Sequence, residues 1–273
     1  MSETALEAVL RRDRYVVIGA LLSLTALAWA YVLWLAGHMA VPAAGQSMPG
    51  MDMDAAMAPA IGPWTPDYLV LNFVMWAVMM VGMMTPSVSP VILLYARVGR
   101  HAETQGQPFA AAGWFAAGYL SVWTSFALVA TGAQAALVAA ALLTPMLAGT
   151  SLLAGGVVLI AAGAYQWSPL KYACLAQCQA PLLFIQRHGG FRRQASGSFG
   201  LGLRHGLYCV GCCWALMALL FVGGVMNVLW IAGIAVLVLL EKILPGAQRF
   251  SRVTGLALMA GGIFLVYQGL LPA

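Results

Sequence analysis

The chain has 273 residues, of which 62% are hydrophobic and 8% charged, with a formal net charge of +5. Soluble domains carry roughly 25% charged residues, so this chain lacks the polar surface needed to face water. Its positive charge is no nucleic-acid footprint, because no basic patch is interleaved with exposed aromatics.

The mean hydropathy is +0.89, and the length is used up by apolar runs of about 20 residues, enough to cross about 30 Å of hydrocarbon. The first such run, from about Tyr15 to Gly37, follows Arg11, Arg12 and Arg14. It is too long for a signal-peptide h-region and reads as an uncleaved anchor. Residues 38–66 then form a loop rich in Pro, Gly and Met. The second run covers about Asp67 to Ala96, where Pro86 and Pro90 should kink or break the helix near its inner end. The third starts near Phe109 and is expected to leave the membrane around Thr131, with a short interfacial or re-entrant helix over 132–146. The fourth spans about Leu147 to Trp167, and an inner segment follows from Ser168 to Gly200. The last three cover Leu201–Met226, Asn227–Leu244 and Val253–Leu271.

All 13 Lys and Arg fall between alternate runs, and the intervening connections have none. The positive-inside rule puts the basic stretches in the cytoplasm. The expected fold is therefore all-α, a polytopic transmembrane helical bundle of about seven spans, with the N-terminus in and the C-terminus out. The expected location is a bacterial inner membrane. Residues 1–37 form the cytoplasmic N-terminus and anchor, 38–66 an outer loop, and 67–273 a six-span membrane domain.

Sulfur dominates the candidate chemistry. The outer loop carries His38-Met39 and then Met48, Met51, Met53 and Met57, interleaved with Asp52 and Asp54. Thioether is a soft ligand that needs no deprotonation and forms no disulfide, which suits copper(I) in an oxidising compartment. The bland alternative is a tether that happens to contain Met. On the second span, Met75, Met79 and Met83 recur every four residues and share one helical face, with Met80 and Met84 beside them. Met is also an ordinary gap-filler in apolar packing, so the stripe fits a metal relay or plain core.

The thiols form two groups, Cys174 with Cys178, and Cys209 with Cys212 and Cys213; His205 lies one helical turn before Cys209. Charge places them toward the reducing side, where disulfides are not expected. Two such groups could close a four-thiolate site, zinc being the alternative metal, or a three-coordinate copper(I) site. The alternative is that each Cys is a small buried hydrophobe. At about 1.5 Å per residue, Met83 lies about 24 Å below the outer surface, and Cys209 and Cys212 about 12–17 Å above the inner one. A hand-off from thioether to thiolate is feasible if the second and fifth spans touch. Glu241-Lys242, at the inner end of the sixth span, is expected to snorkel to the interface. Gln166 and Asn227 are expected near interfaces, without a role.

These residues also carry a resemblance. The run Met75-Trp76-Ala77-Val78-Met79-Met80, continuing through Met83-Met84-Thr85-Pro86 to Pro90 and Tyr95-Ala96, is the first part of it. The second is Tyr165-Gln166-Trp167-Ser168-Pro169-Leu170-Lys171 with Cys174, Cys178 and Pro181-Leu182. The third is His205-Gly206, Tyr208-Cys209, Gly211-Cys212-Cys213-Trp214, Leu216-Met217, Met226-Asn227 and Glu241-Lys242. Over about residues 67–271 the chain resembles a bacterial family of predicted metal-binding integral membrane proteins, domain of unknown function 2182. Ser168 stands where that pattern has Thr. The resemblance implies a metal-binding membrane unit and no settled activity.

Three functions compete. The first is a copper(I)-binding membrane protein. Its outer Met residues capture, Met75, Met79 and Met83 relay, and the Cys cluster receives, for transport or for delivery to a membrane or periplasmic metalloprotein. The second is a non-transporting subunit or assembly factor that holds metal, zinc included, in a closed site. The third, a membrane thiol oxidoreductase, fits least, because such enzymes present reactive thiols to the oxidising side. The sequence has no hydrolase or P-loop set, so a non-enzyme is favoured. Apart from the lipid bilayer, partners and oligomeric state are left open.

Overall fold

The computed structural model describes residues 3–40, 66–104, 112–142 and 151–271. Ten α-helices and no strand occur among them. They are α1 (Glu3–Ala40), α2 (Pro66–Thr104), α3 (Ala112–Ala139), α4 (Leu152–Tyr165) and α5 (Pro169–Gln179), then α6 (Pro181–Arg187), α7 (Ala195–Ala218), α8 (Leu220–Gly223), α9 (Val228–Ile243) and α10 (Ala247–Leu270). Five are long and apolar enough to cross a membrane, or six if the bent pair α4 and α5 counts as one span. In lipid the backbone must satisfy its own polar groups, and helices do so within one segment. Large apolar side chains accordingly stay exposed on the outer faces, among them Leu27, Leu229, Ile263, Phe264 and Tyr267.

The helices pair through glycine. The most extensive contact is α4 with α10, followed by α3 with α7, α1 with α2, and α2 with α3. A Cβ on Gly202 would sit 2.1 Å from the Phe115 carbonyl oxygen, and one on Gly118 2.1 Å from that of Phe199. Gly156 faces Gly262, and Gly163 faces Gly255, with the same backbone-to-backbone closeness at 2.6–2.8 Å. Small residues let helices approach where the hydrophobic effect gives no drive between them.

Two expectations about breaks are corrected. No separate helix covers residues 132–139; they continue α3 to Ala139, and 143–150 lie outside the described residues. The polar Gln134 does not end the span because it points inward, accepting from Trp76 Nε1 at 2.6 Å and donating to Asn72 Oδ1 at 2.9 Å. Nor do Pro86 and Pro90 interrupt α2. There the hydroxyls of Thr85, Ser87 and Ser89 stay within the helix, donating to the Val81, Met84 and Thr85 carbonyls at 2.6–2.9 Å.

The real interruption lies between α4 and α5, which meet at 64°. Ser168 caps α5 by accepting from the Lys171 amide at 3.1 Å, and Pro169 occupies its first turn, where no donor is needed. The bend turns the α5 cysteines back against α7, with which α5 packs.

A candidate copper site on four helices

The five cysteines, 174, 178, 209, 212 and 213, are free thiols and all buried. Helix α7 presents Cys209, Cys212 and Cys213 on successive turns of one face. The Cys212 and Cys213 thiols both donate to the Cys209 carbonyl, at 3.1 and 2.9 Å. From α5, Cys178 reaches Cys209 and Cys212. Cys174 lies beside Cys212 and packs against Gly211, where a Cβ would come within 2.7 Å of its sulfur. Tyr165 fixes the same turn by donating its hydroxyl to the Gly211 carbonyl. The two thiol groups of the sequence are thus one cluster.

Cys209 is its centre and has no exposed surface. Its sulfur is 3.0 Å from the Tyr119 hydroxyl of α3 and 2.9 Å from Lys242 Nζ of α9. Lys242 also donates to Ser87 of α2 at 2.9 Å, and Tyr119 lies beside the same Ser87. Groups from α3, α5 and α9 therefore meet the α7 sulfur, and α2 joins through Ser87. Helix α2 makes no extended backbone contact with α7; α3 and α9 pack against both. The second and fifth spans nonetheless touch, as a hand-off requires, where the rings of Trp76 and Phe221 lie 5.2 Å apart.

His205 lies one turn before Cys209, boxed by the rings of Phe115, Tyr119 and Phe184 with centroids 5.7, 5.8 and 4.9 Å away. It is 2% exposed, and its Nδ1 has no hydrogen-bond partner among the described residues. A buried unpartnered nitrogen costs free energy and so marks a place where a ligand would be favourable. As the side chains stand, no three or more His, Cys, Asp or Glu converge on a metal position among the described residues. Cys212 and Cys213 point back to a carbonyl. Coordination would need them to turn about χ1, a rotation between staggered wells.

Met75, Met79, Met80, Met83 and Met84 are buried on α2 and belong to one core cluster with the five cysteines. Met48, Met51, Met53 and Met57 lie outside the described residues. His38 is described. It is exposed at the end of α1, and its Nδ1 donates to the Trp34 carbonyl at 2.8 Å.

The reading of Glu241-Lys242 as a snorkelling pair is corrected. Glu241 is 2% exposed and forms a 2.6 Å ion pair with Lys171, which has no exposed surface and is no loop cation. Gln166 donates to Glu241 Oε1 at 2.8 Å, and Ser251 to the same oxygen at 3.1 Å. Gln179 donates to the Glu241 carbonyl at 2.9 Å. A buried carboxylate is tolerated when paired and hydrogen-bonded in this way. Lys242, half-buried, turns inward to Cys209 and Ser87 rather than out to the interface. Gln166 is buried, and Asn227 caps α9 by accepting from the Trp230 amide at 3.2 Å.

Sequence reasoning missed Tyr119, Ser87 and Gln134. The first two carry no sequence signal. Gln134 did, as an amide amid apolar residues, and an intramembrane polar residue asks for a partner.

No curated protein and no solved structure matches the chain. A family model does, over residues 73–265, well over half the chain and all of the thiol cluster, under the description "PpoB2: Copper chaperone". With its buried thiols drawn together on apolar helices, this chain belongs to the PpoB2 copper chaperone family.

Proposed function

We propose that the protein is a membrane-embedded chaperone for copper in the +1 state. Cys178, Cys209, Cys212 and Cys213 hold the metal, with Cys174 at their edge and His205 beside them. The observation that carries this reading is the convergence of thiols from α5 and α7 around Cys209. Soft thiolates select Cu(I), and among the described residues no carboxylate lies in the cluster to favour a hard cation.

Outer-loop Met48, Met51, Met53 and Met57 capture the ion, and Met75, Met79 and Met83 pass it inward along α2. The last step, from thioether to thiolate, is the gain in affinity that draws the ion inward. The description "copper chaperone" supports delivery over bulk transport, and the recipient in this reading is a membrane or periplasmic metalloprotein. The chain crosses a bacterial inner membrane about seven times, α9 included, with its N-terminus inside and C-terminus outside.

The test is metal content of purified, reduced protein. Wild type should hold Cu(I) or Ag(I). Cys209→Ser and Cys178→Ser should each lose it, with strongly non-additive losses, since ligands of one site act as a unit. A folded Cys209→Ser protein with full metal content would sink the reading. Zinc held equally in wild type and in Met75→Leu/Met79→Leu would return the cluster to a structural site.

A further inference from the structure

A pocket of about 400 Å³ opens beside the thiol cluster, lined by Cys174, His188, Arg204, Leu207 and Tyr208. Its size is that of a small-molecule site, about 300–1,000 Å³. Cys174 is the cluster member that faces it, while Cys209, Cys212 and Cys213 lie deeper at 0–2% exposure.

His188 ends α6, and its Nδ1 lies 2.8 Å from the Phe184 carbonyl. A carbonyl only accepts, so in the neutral ring Nδ1 carries the proton and Nε2 has the lone pair. Metal-ligating histidines are commonly fixed this way, the other ring nitrogen donating to a carbonyl. The ring is held between Phe184, 4.5 Å away, and Tyr208, 5.8 Å away. Nothing in the sequence singled it out.

The rim is cationic. Arg204 lines the pocket, and Arg192 donates to the His188 carbonyl at 2.8 Å. Between Glu103 and Glu241 the chain has no Asp or Glu, and Glu241 is taken by Lys171. Among the described residues no carboxylate pairs with Arg204 or Arg192, so an anionic ligand is favoured there.

Resting on the copper reading above, we propose that this pocket is the port where Cu(I) is exchanged with a small thiol bearing carboxylates. Arg204 takes the carboxylate, Cys174 exchanges the metal, and His188 Nε2 supplies a neutral donor while sulfur ligands swap. In the exchange, the metal bond to the incoming ligand's sulfur breaks as the bond to Cys174 forms. The Cys174 thiol proton passes to the departing thiolate. Copper stays in the +1 state, and no electron moves.

Two measurements on the full chain in detergent test this. In the metal-free protein, iodoacetate should alkylate Cys174 about tenfold faster, relative to iodoacetamide, than it does a free thiol, and Arg204→Gln should remove that preference. In the Cu(I)-loaded protein, mercaptosuccinate should withdraw metal faster than neutral 2-mercaptoethanol. His188→Ala should slow that withdrawal about tenfold, the usual scale for losing a donor near a metal, with metal content unchanged. Charge-indifferent alkylation, or wild-type withdrawal rates in His188→Ala, would overturn the proposal. So would transfer only to a thiol-bearing protein and never to mercaptosuccinate. A wild type that takes up no Cu(I) defeats the copper reading instead, and the alkylation measurement still decides the pocket.

Discussion

Lys242 on α9 and Cys209 on α7, 33 positions apart in sequence, meet with their nitrogen and sulfur 2.9 Å from each other. A Cu(I) ion held by two or more thiolates leaves the site net negative, and the Lys242 ammonium is the nearby cation that offsets it. Lys242→Met should therefore weaken Cu(I) binding by about tenfold, the worth of one charge-assisted contact of roughly 1.5–3 kcal/mol partly recovered by relaxation. Lys242→Arg should retain more affinity than Lys242→Met. Competition against a chromophoric Cu(I) chelator measures both, and unchanged affinity in Lys242→Met would remove the cation from the account.

Glu241 is bound by Lys171, Gln166 and Ser251 at once. Glu241→Gln should destabilise the protein by about 3–5 kcal/mol, because it strands a fully buried ammonium. The double change Lys171→Met/Glu241→Met should be markedly more stable than Glu241→Gln. Unfolding in mixed detergent micelles reads the difference.

Two glycines on α7 should answer oppositely to a methyl group. Gly202→Ala puts Cβ 2.1 Å from a backbone carbonyl, which cannot turn aside, so α3 and α7 must separate and stability should fall severely. Gly211→Ala meets only the Cys174 sulfur at 2.7 Å, a side chain that can rotate. It should keep the fold within about 1 kcal/mol while displacing that thiol. Thermal unfolding together with Cys174 alkylation rates separates the two cases.

A peptide of residues 38–66 should bind Ag(I) or Cu(I) and ignore Zn(II), because its Met ligands are thioethers. Calorimetric titration checks this, and equal affinity for zinc would leave the loop a tether.

Reporter fusions should place residue 50 and the C-terminus outside and residues 103 and 190 inside, following the basic residues. A cytoplasmic C-terminus would mean a miscounted span.

The helical bundle was legible because apolar runs of membrane length have few other uses. The thiol cluster was legible too, since Cys occurs in two tight groups and nowhere else in the chain. What joins the groups was not. Tyr119 and Ser87 are ordinary residues until folding brings them to Cys209, and helix periodicity says nothing about which spans are neighbours. The charges misled for a definite reason. Lys171 and Lys242 sit near helix ends in sequence, where snorkelling is the usual outcome. The 64° bend after Tyr165 and the inward course of α9 bury them instead. Thr131 looked like an exit for the same kind of reason, because the partners that keep Gln134 inside lie 58 and 62 residues away.

The glycine seams also decide which parts of the molecule can move. Where α3 meets α7 and α4 meets α10, backbone faces backbone, so a slide of one residue would drive a Cβ into a carbonyl oxygen. Those pairs behave as fixed rails. Helix α5 has no such seam: a capped elbow attaches it at one end, and polar contacts to Glu241 hold its flank. It still packs along α7, with Leu175 buried, yet its closest approach there is the Cys174 side chain against Gly211, and a side chain yields more readily than a backbone seam. Cys174 and Cys178 thus ride on the element with most room to adjust, while the glycine rails hold the rest of the bundle in register.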